Sequence, residues 1–571
     1  MAEPLQLNTV IGFGGSVENG LLVSAIALSK SGRYLATGQV TYMGFTADII
    51  IWDLQNRQLM HRMGLHKVLW DVQTGSAICG SPTHTNFTMC VKFFHNSNDR
   101  LVTAGNYNLH SWEYDKPNNK LRPQEAQLGQ LQRIFKTVCI DSRDNYAFCG
   151  TTTGDVLQIA LERMLFKNSG PGKDPIQLGA TAAIEAPNGE LVVGGGDGSL
   201  QVLRTAQEPS AANPKVLKKM GKVASLKLEG AVTTITLDQV HGKAFTFLVG
   251  TAACNMYRVT YEPLTSKLTD ELLQTSHAEK INDLSFPHEF SEVFATAGIN
   301  FIRVWHLATC RELLRIAVPN LECNCIVFAT DGKSIVSGWS DGKIRGFAPQ
   351  SGKLLYTIND AHQKAVTAIA CTSDSNKIIS GGEEGMVRMW RLGKASQTLE
   401  ASMKDHKGSV NTIRVKADDT ECVSASSDGS CIIWDLHTFK RRCSLFANTF
   451  FKAAIYHPDE SQLVTTGTDR KITYWDAYDG QAIRIIDGSD SSEVNTLATD
   501  RDGHAIVSGG GDKLVRVWGY DEGHCYFIGV AHSGSVTRVA VTPDKSSIVS
   551  VGTEGGIFVW QNQPPRTLAD L

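Results

Sequence analysis

Short runs of alternating apolar and polar residues recur through the C-terminal half of the chain, as in Val366-Thr-Ala-Ile-Ala and Val536-Thr-Arg-Val-Ala-Val. A two-residue period sends successive side chains to opposite faces, so each run predicts a half-buried strand. A hydroxyl residue follows each run, then an acidic or glycine-rich turn, then a further strand ending on an aromatic. The clear units are Ser337 to Phe347, Ser380 to Trp390, Ser424 to Trp434, Thr465 to Trp475, Ser508 to Trp518 and Ser550 to Trp560, with a degenerate copy ending on Trp305. In each clear unit an acid stands between hydroxyl and aromatic: Asp341, Glu384, Asp428, Asp469, Asp512 and Glu554. The aromatic ends lie 41 to 44 residues apart.

That period, filled by strand, turn, strand, acidic turn and Trp-ended strand, is the WD40 pattern. One unit is a small antiparallel sheet, unable to bury its faces alone. Radial packing buries them and leaves few open edges. Seven markers predict a seven-bladed ring. The first half carries the same mark more faintly, with strand ends at Trp52, Trp70, Trp112, Ile159, Leu203 and Tyr257. The step from Trp52 to Trp70 is only 18 residues, and Leu65-His66-Lys67, which opens a repeat, runs straight into Val68-Leu69-Trp70-Asp71, which closes one. The residues before Leu21 hold at most one strand, Asn8 to Phe13. The expected fold is all-β, with two tandem WD40 β-propellers at 1–262 and 263–571. The C-terminal one is seven-bladed and the N-terminal one lacks parts of its first two blades, near 1–20 and 67–68. An alternative splice form or an imperfect gene model would leave such gaps; a smaller open ring would expose sheet edges.

Composition narrows the classes. At 571 residues the chain is too long for one core, and 42% hydrophobic with 20% charged residues excludes disorder as the main state. No apolar run approaches the ~18 residues of a membrane span, and MAEPLQLNTV lacks the basic and apolar regions of a secretory signal. A net charge of −3 argues against gripping nucleic-acid backbones. The thirteen cysteines contain no CxxC pair, which suits free thiols in a reducing cytoplasm.

Candidate chemistry is sparse. Ser, His and an acid within one repeat have the makings of a hydrolase triad. The set recurs, however, as His362, Ser380, Glu384 and Trp390; as His406, Ser424, Asp428 and Trp434; and as His532, Ser550, Glu554 and Trp560. A catalytic site occurs once per domain, whereas a device repeated in every blade is structural. It ties the approach loop to the tight turn and the indole. Asn320 and Asn448 stand near the histidine position in blades that lack it, so packing is expected to hold those blades. Gly194 to Ser199 and Ser508 to Lys513 follow strands, but neither has the GxxxxGK[ST] form, and they read as hairpin turns. Cys323, Cys325, Cys422 and Cys431 have no partners at zinc spacing. No catalytic residue, metal, cofactor or small-molecule substrate is therefore expected. The basic stretch holding Lys218 and Lys219 is a solvated loop or a local acidic contact. The long turn with Tyr42, Met43 and Phe45 either folds back on its blade or anchors a partner.

Several runs are more particular than the shared repeat: Met43 to Asp53, Ala77 to Pro82, Arg311 to Asn320, Asp331 to Ser337, Asp341 to Pro349 and Gly467 to Asp476. In these the sequence resembles the cilia- and flagella-associated protein 52 family, and the resemblance runs along nearly the whole chain. It implies a non-enzymatic microtubule inner protein of the ciliary axoneme. Such a protein is fixed to the lumenal wall of the B-tubule, touches tubulin and other microtubule inner proteins, and supports motility. The two gaps are departures from that family, whose blades are complete, and bear on any partner surface built there. The alternative is a soluble adaptor in a ubiquitin-ligase or trafficking complex.

Overall fold

The computed structural model describes residues 88–562 except 98, 119, 173, 205–219 and 394–395, together with the backbone of strands lying between Glu3 and Gly80. Among the described residues every regular element is a β-strand. The chain divides into two compact units, one of residues 19–274 and one joining 1–18 to 275–571.

In the C-terminal unit the sheets follow the predicted repeat. Val366–Cys371, Lys377–Gly382, Val387–Leu392 and Gln397–Met403 pair antiparallel in that order. The sheets at 410–446 and 451–487 have the same form. Each first strand faces the centre of the unit and neighbours the first strand of the next sheet. The succession runs from Ile281–Ser285 round to Val536–Val541, which returns to meet Ile281–Ser285. One polar side chain per strand carries this contact. Asn282 Nδ2 donates to the Cys323 carbonyl (2.9 Å), Asn324 Nδ2 to Val366 (3.0 Å) and Thr367 Oγ1 to Val410 (2.6 Å). Asn411 Nδ2 donates to Phe451 (2.6 Å), Asn495 Nδ2 to Val536 (3.0 Å), and Thr537 Oγ1 back to Ile281 (2.6 Å). At the equivalent place Lys452 instead pairs with Glu493 at 3.3 Å.

Between neighbouring sheets lies the core. Met389, Val410, Ile413, Cys422, Ile432 and Trp434 form one such layer, all nearly free of solvent. Burying one side chain of this size stabilises the fold by roughly 1.5–3 kcal/mol, so the alternating pattern is what holds sheet to sheet.

Two expectations are corrected. The spacing places the strand Asn8 to Phe13 in the incomplete first blade of the N-terminal propeller. It is Leu7–Ile11, and it pairs antiparallel with Ile557–Gln561, Leu7 opposite Trp560, so it is the fourth strand of the last C-terminal sheet. Glu3–Pro4 adds a parallel strand to Cys525–Val530 in the sheet before it. The division between units lies at 274/275, where 262/263 was expected. Lys267–Gln274 pairs with Met256–Glu262 and is the outer strand of the 232–274 sheet.

The N-terminal unit has four-stranded sheets at 22–63, 88–125, 135–170, 180–227 and 232–274. Val68–Trp70 and Ala77–Gly80 form a sheet of two strands. Phe247, Val249, Val259 and Tyr261 anchor the last interface, and Tyr261 donates its hydroxyl to Glu190 at 2.6 Å.

Candidate functional site

The three repeated sets assemble in the same way. Trp390 Nε1 donates to Ser380 Oγ (3.0 Å), Ser380 meets His362 Nε2 (2.8 Å), and His362 Nδ1 meets Glu384 Oε1 (2.7 Å). The carboxylate only accepts, so Nδ1 carries the proton and Nε2 accepts from the serine hydroxyl. Each donor then has one acceptor. In the next sheet Trp434 Nε1 donates to Ser424 Oγ (2.8 Å), which meets His406 Nε2 (2.7 Å), and His406 Nδ1 lies 3.1 Å from Asp428. In the last, Trp560, Ser550, His532 and Glu554 repeat the chain at 2.8, 2.7 and 2.5 Å. Ser380, Ser424 and Ser550 have 0% exposure, so no substrate carbonyl reaches these hydroxyls.

Electrostatics agree with neutral imidazoles. Burial pushes the His362 pKa down against the pull of Glu384, and it does the same to His406 against Asp428. Burial works against ionised Glu384, yet hydrogen bonds from its own backbone amide and from His362 outweigh it and hold its pKa low.

Other sheets keep the hydroxyl–indole bond and change the rest. Trp305 Nε1 donates to Thr296 Oγ1 (2.8 Å), and Thr296 meets His277 Nε2 (2.8 Å), a histidine the sequence reading missed because no acid marks its repeat. Burial, with Arg303 and Arg315 beside it, pushes His277 well below the usual imidazole value. Where Phe347 ends the repeat and offers no N–H, Trp339 supplies the indole to Ser337 at 2.9 Å. In the blade where Asn448 stands near the histidine position, and packing is expected to hold more than the network, Thr449 Oγ1 receives the Asp469 amide at 3.0 Å, and Trp475 donates to Thr465 at 2.7 Å. Ser489 takes the histidine's place beside Asp512 (2.6 Å). Tyr42, Met43, Phe45, Lys218 and Lys219 lie outside the described residues.

One cluster in the C-terminal unit does not repeat. The first strands enclose a central cavity of about 380 Å³ whose charged lining residues are Asp283, Arg414 and Arg538. Arg538 Nε donates to Asp283 Oδ1 at 2.8 Å. The same carboxylate accepts the backbone amides of Leu284 (3.0 Å) and Ile326 (2.9 Å). A single arginine in an alternating strand reads as a solvent-facing residue, so nothing in the pattern marks this cluster. On the outer strands large apolar side chains stay exposed, among them Leu354, Leu399, Phe446, Ile483 and Ile485.

The WD40 family (WD domain, G-beta repeat) matches residues 352–391, 397–435, 480–519 and 523–561. The chain is 63% identical to "Cilia- and flagella-associated protein 52" of Chlamydomonas reinhardtii, with all of both chains covered. It is 42% identical to the Bos taurus protein of that name, over 98% of this chain and 97% of the relative, and 43% identical to the human one, over 95% and 89%. The alignment with the algal protein runs over 633 positions against 571 residues here, so 62 positions are filled only in the relative. The β-sheets, the repeated hydroxyl–indole bonds and the identity along the full length place the chain in the cilia- and flagella-associated protein 52 family.

Proposed function

We propose that this protein is a non-enzymatic scaffold of the ciliary and flagellar axoneme, which binds the lumenal wall of doublet microtubules and there contacts tubulin and other lumenal proteins. The observation that carries the reading is the full-length identity to relatives named for cilia and flagella. Supporting it are the sealed serines, which offer no reactive centre, and the apolar side chains left on the outer strands, which suit protein contact. Several modest contacts made at once give tight retention through avidity.

The cycle of first strands is read as a closed seven-bladed propeller, and the histidine networks as the ties that lock each blade. The two-stranded sheet at 68–80 is read as the remnant of a blade whose inner strands this chain lacks. Salt extraction of isolated axonemes tests the functional reading. The protein should stay with the microtubules through high salt and leave only when the doublets are dissolved. Release by mild salt would remove the scaffold reading and favour a soluble adaptor.

A further inference from the structure

We propose that the central channel of the C-terminal unit is an oxyanion site, in which Arg414 and Arg538 together hold one carboxylate or phosphate group. This goes beyond the scaffold reading and does not depend on it.

The first strands repeat a pattern in which the third residue faces the channel. At most places it is small, as in Ala368, Thr412, Ala453 and Thr496. Asp283 and Arg538 break that pattern from adjoining strands, and Arg414, two residues past Thr412, breaks it from across the ring. Their charges do not balance. Asp283 is already occupied by Arg538 Nε and two backbone amides, as given above. Arg538 thus spends one N–H on the carboxylate and keeps its terminal nitrogens. The Arg414 side chain has no hydrogen bond or ion pair to any described residue. It is exposed and lines the channel.

Two guanidinium groups against one satisfied carboxylate leave a net positive charge in a confined space. The surrounding protein lowers the Arg414 pKa; Asp283 pulls it up, and Arg538, with the smaller effect, pushes it down. An incoming anion gives the free guanidinium donors charge-assisted hydrogen bonds, which are about twice as strong as neutral ones. Guanidinium supplies a planar fork of N–H donors that matches the oxygens of carboxylate and phosphate, often in bidentate pairs. The cavity, about 380 Å³, falls in the range of small-ligand sites and admits a compact anion.

The test uses the full chain, with inorganic phosphate in one arm and citrate in another, at ionic strength held constant with sodium chloride. Both thermal melting and isothermal titration are followed. The parent chain should bind at least one of the two anions saturably, with a rise in melting midpoint that chloride does not reproduce. Phosphate alone identifies a phosphate site and citrate alone a carboxylate site. Arg414→Ala should weaken binding at least tenfold, and Arg414→Lys, which keeps the charge without the fork, should recover only part of it. Without anion, Arg414→Ala should melt no lower than the parent chain, since the lost group had no protein partner. Equal anion response in Arg414→Ala, no response to either anion, or a large loss of stability in the anion-free variant would each overturn the assignment.

Discussion

At the residue scale the repeated networks tie buried hydroxyl, imidazole and indole groups into single chains of hydrogen bonds. Ser424 is the clearest case: its oxygen receives the Trp434 indole, and its hydroxyl faces His406. Ser424→Ala removes the shared atom and leaves a buried indole N–H and a buried imidazole nitrogen unsatisfied. Each such loss costs about 1–3 kcal/mol, so the C-terminal unit should melt several degrees lower, as calorimetry can register. An unchanged midpoint would mean the network ties nothing. The imidazoles also set a pH dependence. His277, His362 and His406 are all held below the ordinary histidine value, chiefly by burial. Below about pH 6.5 the unfolded chain takes up protons at these sites while the folded chain does not, so folding stability is full above that pH and declines as pH falls. The lowered carboxylates Glu384 and Asp428 add their own loss only nearer pH 4. Melting should therefore be flat above about pH 7 and fall between about pH 6.5 and 5. His277→Asn should flatten part of that slope. A midpoint that does not move over this window would contradict neutral burial.

At the element scale the repeat in the sequence and the sheet in the structure are out of step, and this explains what was legible. The matched stretch 397–435 begins with the outer strand of one sheet and continues with the first three strands of the next. The Trp-ended strands announce themselves because each must deliver an indole to a hydroxyl in a neighbouring strand, which fixes residue type and spacing together. The closing strand does not announce itself. Leu7–Ile11 carries no marker, and its partner lies more than five hundred residues away, so only the structure reveals the pairing with Ile557–Gln561. His277 stayed hidden because Asn300 stands four residues after its hydroxyl Thr296, where the other repeats carry an acid, and Arg414 because one charged residue in an alternating strand looks like an ordinary exposed position. The polar residues that join neighbouring first strands stand as Asn or Thr early in every run but the one with Lys452, and their role needs a partner from the next sheet. Two consequences can be measured. Asn411→Ala removes the bonds to Phe451 O (2.6 Å) and Ser427 Oγ (2.8 Å), and should speed amide exchange in Phe451–Tyr456 well before it affects Val536–Val541. Deleting residues 1–18 should uncover the edge of Ile557–Gln561 and turn part of the preparation into oligomers on size exclusion. A truncated chain that remains monomeric and equally stable would show that the closing strand is dispensable.

At the scale of the whole molecule the decisive irregularity is the two-stranded sheet at 68–80. Every neighbouring sheet in its unit has four strands, and a lone hairpin is marginal in water without further strands or packing. The spacing from Trp52 to Trp70 is 18 residues where a repeat needs about 42, a shortfall of about two dozen that the proposed reading places at the junction of Lys67 and Val68. The algal relative fills 62 positions that this chain does not, more than enough to supply the absent strands. If the chain is a spliced or truncated form of the family's protein, transcripts from ciliated cells should contain an in-frame segment at that junction. The segment should carry one alternating apolar run, a hydroxyl residue and a turn. The longer product should also be less prone to aggregate, because the added strands cover edges that the hairpin leaves open. Transcripts that uniformly join Lys67 to Val68 would mean that the fold tolerates a two-stranded blade. A longer product that aggregates as readily as the short one would mean that edge exposure is not what the missing strands correct.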